Sequence, residues 1–230
     1  MTGHVSFHAW RGRDLDRGLH LGTRVEGEAL RLATPVGTRR YVDPHAAVGP
    51  REHAWAAWVS PVVTPGHPFT SLVPSWNATT PGDSWLEVEA RASADGVRWT
   101  RWFTLGRWAT SEEAIAPTSV PGQACAEGTV DTDELRARGT SAWSTYQLRM
   151  ALHRGTASSA VPTVTMVGVV VANPGEHAVP AARTAPVRDV ELAVPAFSQQ
   201  LHRGDRAGSA GESWCSPTAT AMVLAHWGRG

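Results

Sequence analysis

Cys215 is the residue whose type and position most clearly suggest chemistry, because it opens a predicted helix. The segment Trp214-Cys215-Ser216-Pro217-Thr218 leads into a run of small and apolar residues that ends at Trp227. Pro217 suits the first turn of a helix, where a missing N–H group costs nothing. A thiol at a helix N-terminus faces the positive end of the helix dipole and free N–H groups, which favour the nucleophilic thiolate. The sequence therefore predicts a candidate nucleophile at Cys215.

A glutamine upstream of Cys215 meets a second requirement of acyl transfer, a donor to the oxyanion. The segment Val194-Pro195-Ala196-Phe197-Ser198-Gln199 ends in this amide, which would act together with the backbone N–H of Cys215. Gln200 is an equal candidate by chemistry alone. The alternative for Cys215 is a small buried residue without a catalytic role, because free cysteine is often buried.

A longer pattern covers residues 190–228: Val-Pro-x-x-x-Gln, a Gly-rich loop, then Trp-Cys-x-Pro-Thr-x-x-Ala-Met-Val-Leu. It resembles the papain-fold cysteine peptidases of bacteria, specifically the thirty-ninth cysteine peptidase family (C39) and its relatives. The resemblance implies that Cys215 is the nucleophile and Gln199 the oxyanion donor, which favours Gln199 over Gln200. Ser216 stands where the family often has glycine. A peptide or protein substrate and secretion are also implied, although the sequence shows no signal peptide.

A thiol peptidase also needs a histidine that deprotonates the cysteine and an Asp or Asn that orients this histidine. The resemblance places both well downstream of the nucleophile, whereas this sequence ends at Gly230. His226 lies on the same helix, but eleven residues of helix rise about 16 Å, far beyond hydrogen-bond reach. Nothing in the sequence holds His202 near the thiol. We therefore expect a truncated peptidase that is inactive as this chain.

Residues 1–172 read as a different kind of domain. Trp85–Arg91 and Tyr146–Arg154 alternate apolar and polar side chains, the period of two expected of half-buried strands. Asp95-Gly96 before Trp99–Phe103 predicts a hairpin. Thr163–Ala172 is apolar on both faces, which predicts a central strand covered on both sides. Many short strands with turn signals, including others near 20–25, 28–33, 54–60 and 69–76, predict a mainly β sandwich or jelly roll.

The composition changes after residue 172. Residues 173–189 contain three prolines and lack periodic apolar side chains, which predicts a linker. Residues 190–230 are then the N-terminal fragment of the papain-like α+β domain that the resemblance implies. The predicted helix in this fragment is apolar nearly all round, so we expect it to be buried. Leu72–Pro81 and Trp99–Trp102 look like the accessory region that precedes this peptidase in secreted bacterial members.

Charge and composition exclude several classes of partner. The 21 basic and 21 acidic residues give a formal net charge of zero, so nothing favours binding to nucleic acid or an anionic membrane. No apolar run approaches the roughly 18 residues of a membrane span. Scattered histidines and isolated aspartate pairs give no indication of a metal or another cofactor. Cys125, the second cysteine, lies in a loop-like stretch and has no predicted role.

The 11 tryptophans support a second class of function. Exposed indole faces stack on sugars, so the sandwich is alternatively a non-catalytic binding module for a glycan, a cell-wall polymer or a protein. Most tryptophans, including Trp85, Trp99 and Trp102, are expected to be core residues. Trp76, beside the Asn77–Gly82 turn, is the best exposed candidate. A histidine in an apolar strand encoded downstream of residue 230 would favour the peptidase over the binding module.

Overall fold

The computed structural model describes residues 4–45, 49–111, 114–139, 142–173, 191–202 and 214–228. The chain divides into two compact units, Met1–Ala178 and Val179–Gly230. In their described parts the first unit is built from β-strands and the second contains one α-helix. The linker expected at residues 173–189 lies outside the described residues except for Asn173.

The described part of the first unit contains thirteen β-strands and one 3-10 helix, Gly12–Arg17. The strand Thr163–Asn173 is rich in Val and Thr, and the strand Arg51–Val59 contains two Trp residues, all of them types that favour the extended backbone. The strands are β1 (His4–Arg11), β2 (Leu19–Leu21), β3 (Thr23–Glu26), β4 (Ala29–Leu32), β5 (Gly37–Tyr41), β6 (Arg51–Val59), β7 (Ser71–Thr79), β8 (Trp85–Ser93), β9 (Phe103–Trp108), β10 (Gly128–Asp131), β11 (Glu134–Ala137), β12 (Thr145–Gly155) and β13 (Thr163–Asn173).

The strands form two antiparallel sheets. The first has seven strands in the order β10-β11-β7-β13-β4-β3, with β1 also paired to β13. The second has six strands in the order β2-β6-β12-β8-β9, with β5 also paired to β6. The mainly β, two-sheet architecture expected from the sequence is therefore confirmed, and the strands expected near 20–25, 28–33, 54–60 and 69–76 are β2 with β3, β4, β6 and β7.

The main hydrophobic core lies between the sheets and follows the alternation of their strands. From β8 it receives Leu86, Val88 and Ala90, and from β12 it receives Leu148 and Leu152, all of them fully buried. Burial of one such leucine stabilises the fold by about 1.5–3 kcal/mol. The predicted inward faces of both strands are confirmed.

Strand β13 is central, as expected, because β7 pairs with one of its edges and β1 with β4 share the other. Its expected coverage on both faces is wrong. Val170 is 36% exposed on the face away from the core, and its cross-strand neighbour Phe7 is 55% exposed. Apolar residues on both faces were therefore a correct signal for a central strand but not for a covered one.

The outer face of the second sheet is partly covered by the segment that follows β9. Ala109, Ala114 and Ile115 pack against Trp85. The carboxylate Oδ2 of Asp43 accepts the N–H of Ala116 at 2.6 Å. Trp85 is fully buried in this second cluster, away from the core between the sheets.

Strands β8 and β9 form the expected hairpin. Gly96 has a φ of +73°, and Asp95 Oδ1 accepts the N–H groups of Val97 and Arg98 at 2.9 and 2.7 Å. These bonds and the salt bridge to Arg98 hold the pKa of Asp95 well below its usual range. The return strand begins at Phe103, later than expected.

Trp99 and Trp102 lie in the segment that connects β8 to β9, and both are only half-buried. Their expected place inside a core strand is wrong. The guanidinium of Arg91 lies 4.7 Å from the ring centroid of each, so both indoles pack against a cation on the outer face of the sheet.

The second unit is described at residues 191–202 and 214–228. Residues 191–198 have no helix or strand, Gln199–His202 is a 3-10 helix, and Cys215–His226 is the helix α1. The loop expected at residues 203–212 lies outside the described residues. Within the described parts of the chain, no helix is both long and apolar enough to cross a membrane.

Candidate functional site

Cys215 is the first residue of α1, and its side chain is exposed. The preceding residue, Trp214, forms no side-chain hydrogen bond that caps the helix. The first backbone bond of the helix runs from the N–H of Thr218 to the carbonyl of Trp214, 3.1 Å. Trp214 therefore supplies no capping side chain to the N–H groups of the first turn, and the thiol of Cys215 is exposed.

Gln199 opens the 3-10 helix, and Gln200 is its second residue. Gln199 and Cys215 belong to the same unit of the chain. That their side chains meet at one oxyanion stays a prediction, and so does the preference for Gln199 over Gln200.

Helix α1 has no buried residue, which contradicts its expected burial. Val223 is 54% and Leu224 is 42% exposed. A short helix that is apolar nearly all round needs neighbours on every side, and the described residues do not supply them.

His226 is the last residue of α1, at the end opposite Cys215. Its Nδ1 lies 2.9 Å from the carbonyl oxygen of Ala193. The helix is continuous between the two residues, so the separation of about 16 Å calculated from the helical rise holds. His226 therefore does not act as the base for Cys215. The side chain of His202 lies outside the described part of the structure.

Cys125, the other cysteine, is half-buried at the edge of the main core. Its Sγ donates to Glu127 Oε2 at 3.1 Å. This bond lowers the pKa of the Glu127 carboxyl.

Trp76 is half-buried and packs against the main core, with its ring centroid 6.5 Å from that of Trp108. It lies within β7 and faces inward, so its expected place as the best exposed tryptophan is wrong. Trp55 on β6 is also half-buried, but it lies on the outer face of the second sheet. Its neighbours Ala56 and Trp58 lie on the inner face and belong to the main core.

Two buried carboxylates lie on this outer face, on alternate residues of β8. Glu87 is 2% and Glu89 is 8% exposed. Glu87 accepts from Arg39 Nη1 at 2.6 Å and from Arg107 Nε at 2.7 Å, and Glu89 accepts from Arg149 Nη2 at 2.7 Å. Buried charges require such partners, because desolvation of a lone carboxylate is costly.

The sequence places the two glutamates on the polar side of β8 but does not identify their partners. The only signal for such pairs is that both strands carry charged or polar residues between apolar ones: Glu87, Glu89 and Arg91 on β8, and Gln147 and Arg149 on β12. In the structure Arg91 Nε donates to Gln147 Oε1 at 3.0 Å. Burial, assisted by the charge of Arg149, lowers the pKa of Arg91.

Two histidines lie buried beside the carboxylates. The His153 ring stacks on Trp85 with centroids 3.8 Å apart, and His53 meets the edge of the same indole at 5.6 Å. The ring nitrogens of His153 have no hydrogen-bond partner among the described residues. Burial lowers the pKa of both imidazoles, so they are neutral at pH 7.

The fold and these sites define an antiparallel two-sheet domain followed by a separate segment with an exposed cysteine at a helix N-terminus. A family model, the Peptidase C39 N-terminal domain, matches residues 6–172. The chain therefore belongs to the Peptidase C39 N-terminal domain family. The matched region covers the sandwich and ends before Gln199 and Cys215. A search of curated proteins found no match.

Proposed function

We propose that this chain joins the N-terminal domain of a C39-type peptidase to the segment that carries the catalytic nucleophile, Cys215. The observation that supports this most is the exposed thiol at the first residue of α1, in a chain whose preceding domain belongs to a peptidase-associated family. The sequence pattern around Cys215 that resembles the C39 peptidases lies outside the matched region and is a separate argument.

The proposed reaction is hydrolysis of a peptide bond. A histidine takes the proton of the Cys215 thiol, the resulting thiolate attacks the carbonyl carbon, and the histidine then protonates the leaving amine. The backbone N–H of Cys215 and the Gln199 amide donate to the oxyanion of the tetrahedral intermediate. Water then releases the acyl group and restores the thiol.

His226 cannot serve as the base, because it lies at the far end of α1 and contacts Ala193. We propose that the histidine and its orienting Asp or Asn come from sequence beyond residue 230. The 230-residue chain alone is then inactive, and the active enzyme acts outside the cell on a peptide or protein substrate.

The test compares hydrolysis of fluorescently labelled casein by two proteins, the 230-residue chain and the product of its complete reading frame. We expect hydrolysis from the complete product alone. Cys215→Ala should abolish it, whereas the matched control Cys125→Ala should leave it unchanged. Activity that survives Cys215→Ala, or a complete product that is inactive on every peptide substrate supplied, would overturn the proposal.

The oxyanion donor is tested in the same assay. Loss of one such donor lowers kcat by about 10²–10³-fold. We expect this loss for Gln199→Ala and little change for Gln200→Ala. The reverse result would transfer the role to Gln200 and leave the nucleophile assignment intact.

A further inference from the structure

A cleft of about 310 Å³ opens on the outer face of the second sheet. Its walls combine one aromatic ring with two oppositely charged pairs. They are formed by Arg39 on β5, Trp55 on β6, Glu87 and Glu89 on β8, and Arg149 on β12. The volume lies near the lower end of the range for ligand sites, about 300–1,000 Å³, which suits a small molecule or a short oligomer.

The sequence creates this cleft by placing small residues on the outer face of the sheet, among larger ones. Ala151 lies in its floor, and its cross-strand neighbours are Ala57 and Glu87. The cover formed by Ala114 and Ile115 packs on Trp85 and Tyr41, which are not among the cleft residues.

Gly37 supports the position of the aromatic wall. It is the cross-strand partner of Trp55, and a Cβ atom at residue 37 would lie 3.2 Å from the indole Nε1. The absence of a side chain at Gly37 lets the indole lie close to β5.

The charges of the lining residues cancel, and Arg107, which also pairs with Glu87 but does not line the cleft, adds one positive charge beside it. Arg39 and Arg149 contribute two positive charges, and Glu87 and Glu89 contribute two negative ones. Each glutamate is already paired with an arginine at 2.6–2.7 Å. An anionic or cationic ligand would have to compete with these pairs, whereas a neutral polar ligand would not.

The paired groups still offer both donors and acceptors. A carboxylate has about four acceptor positions and a guanidinium five N–H donors, and the pairs use only some of them. Hydroxyl groups both donate and accept, so a ligand rich in hydroxyls fits such a surface. The ion pairs also fix the side chains before binding, which reduces the entropy cost of ordering them.

We propose that this cleft binds a neutral glycan, with one pyranose ring against the half-exposed Trp55 and its hydroxyls on the ion-paired Glu89 and Arg149. A pyranose with equatorial hydroxyls has a flat C–H face that packs on an indole. The inference is independent of the peptidase proposal, because the site lies wholly in the domain of residues 6–172.

Isothermal titration calorimetry on the 230-residue chain tests the site, with chitohexaose and cellohexaose as probes and heparin as the charged comparison. We expect binding of at least one neutral hexasaccharide in the millimolar range or tighter, and no binding of heparin. Trp55→Ala removes the stacking surface, and Ala151→Leu fills the floor while it keeps every polar group. Each should weaken binding at least about tenfold, a difference of 1.4 kcal/mol.

Trp76→Ala is the matched control, because Trp76 is also a half-buried tryptophan but lies on the other sheet, and this variant should bind like the parent chain. Thermal melting verifies that each variant is folded. If one of the two cleft variants does not fold, the other is sufficient for the test. Absence of binding by both neutral hexasaccharides, equal binding by Trp55→Ala and the parent chain, or preferential binding of heparin would each overturn the proposal.

Discussion

The imidazole of His153 lies flat on the indole of Trp85, with ring centroids 3.8 Å apart and the planes inclined by only 6°. Burial lowers the pKa of this imidazole and of the neighbouring His53. Between these lowered values and about 6.5, the unfolded chain binds more protons than the folded one. The free energy of unfolding should therefore decrease as the pH falls below about 6.5, by up to about 1.4 kcal/mol per pH unit for each histidine.

Urea unfolding between pH 7.5 and pH 5 measures this dependence. His153→Phe keeps an aromatic ring against Trp85 but cannot be protonated, so the loss of stability at low pH should become smaller. An identical pH dependence in His153→Phe and the parent chain would contradict the assignment.

The carboxylate of Glu87 is a second sensitive point, because it is buried and bound by two arginines. Glu87→Ala leaves the mostly buried Arg107 without its partner and should lower the free energy of unfolding by about 3 kcal/mol. Arg98→Ala breaks the exposed pair with Asp95, which solvent screens, and should cost much less. Equal losses in the two variants, measured by urea unfolding, would show that the Glu87 cluster contributes no more than a surface pair.

Gly18 is required by close packing and not by its backbone angles, since its φ is −82°. A Cβ atom there would lie 2.0 Å from Nε1 of Trp58, which donates to the carbonyl of Leu15 at 2.8 Å. Gly18→Ala should therefore cost at least about 1–3 kcal/mol, the range for overpacked sites. Gly66→Ala, where no heavy atom lies within 4 Å, should be close to neutral. A neutral Gly18→Ala in thermal melting would contradict this packing.

The first unit should fold without the second. Every residue of its main core lies between Trp10 and Val171. A fragment of residues 1–178 is expected to unfold in one transition at the same midpoint as the corresponding transition of the 230-residue chain. A fragment that lacks near-ultraviolet circular dichroism or melts without cooperativity would show that the second unit contributes to the core.

Much of the sandwich was predictable because apolar and polar residues alternate along most of β8 and β12, and the apolar residues of this alternation are buried. The partners of these strands were not predictable. Strand β1, for which no strand had been predicted, pairs with β13 at the other end of the domain, and such a register depends on the whole fold. The burial of Glu87 was missed for the same reason, because Arg39 and Arg107 reach it from β5 and β9.

For the helix that carries the candidate nucleophile, the start was predictable from the sequence, whereas the burial was not. The start of α1 at Cys215 follows from local signals, and the structure has it at that residue. The burial of α1 depends on non-local partners, and the exposed Val223 and Leu224 show that the apolar pattern alone did not determine it.

The central claim is that Cys215 is an activated nucleophile, and its rate of alkylation by iodoacetamide as a function of pH tests this most directly. The measurement uses the product of the complete reading frame, with peptide mass spectrometry to follow Cys215 and Cys125 separately. We predict that Cys215 of this product reacts at nearly its maximal rate at pH 7, as expected of a nucleophile paired with a histidine. A Cys215 profile that rises only around pH 8.5, as for an ordinary thiol of about that pKa, would contradict the account.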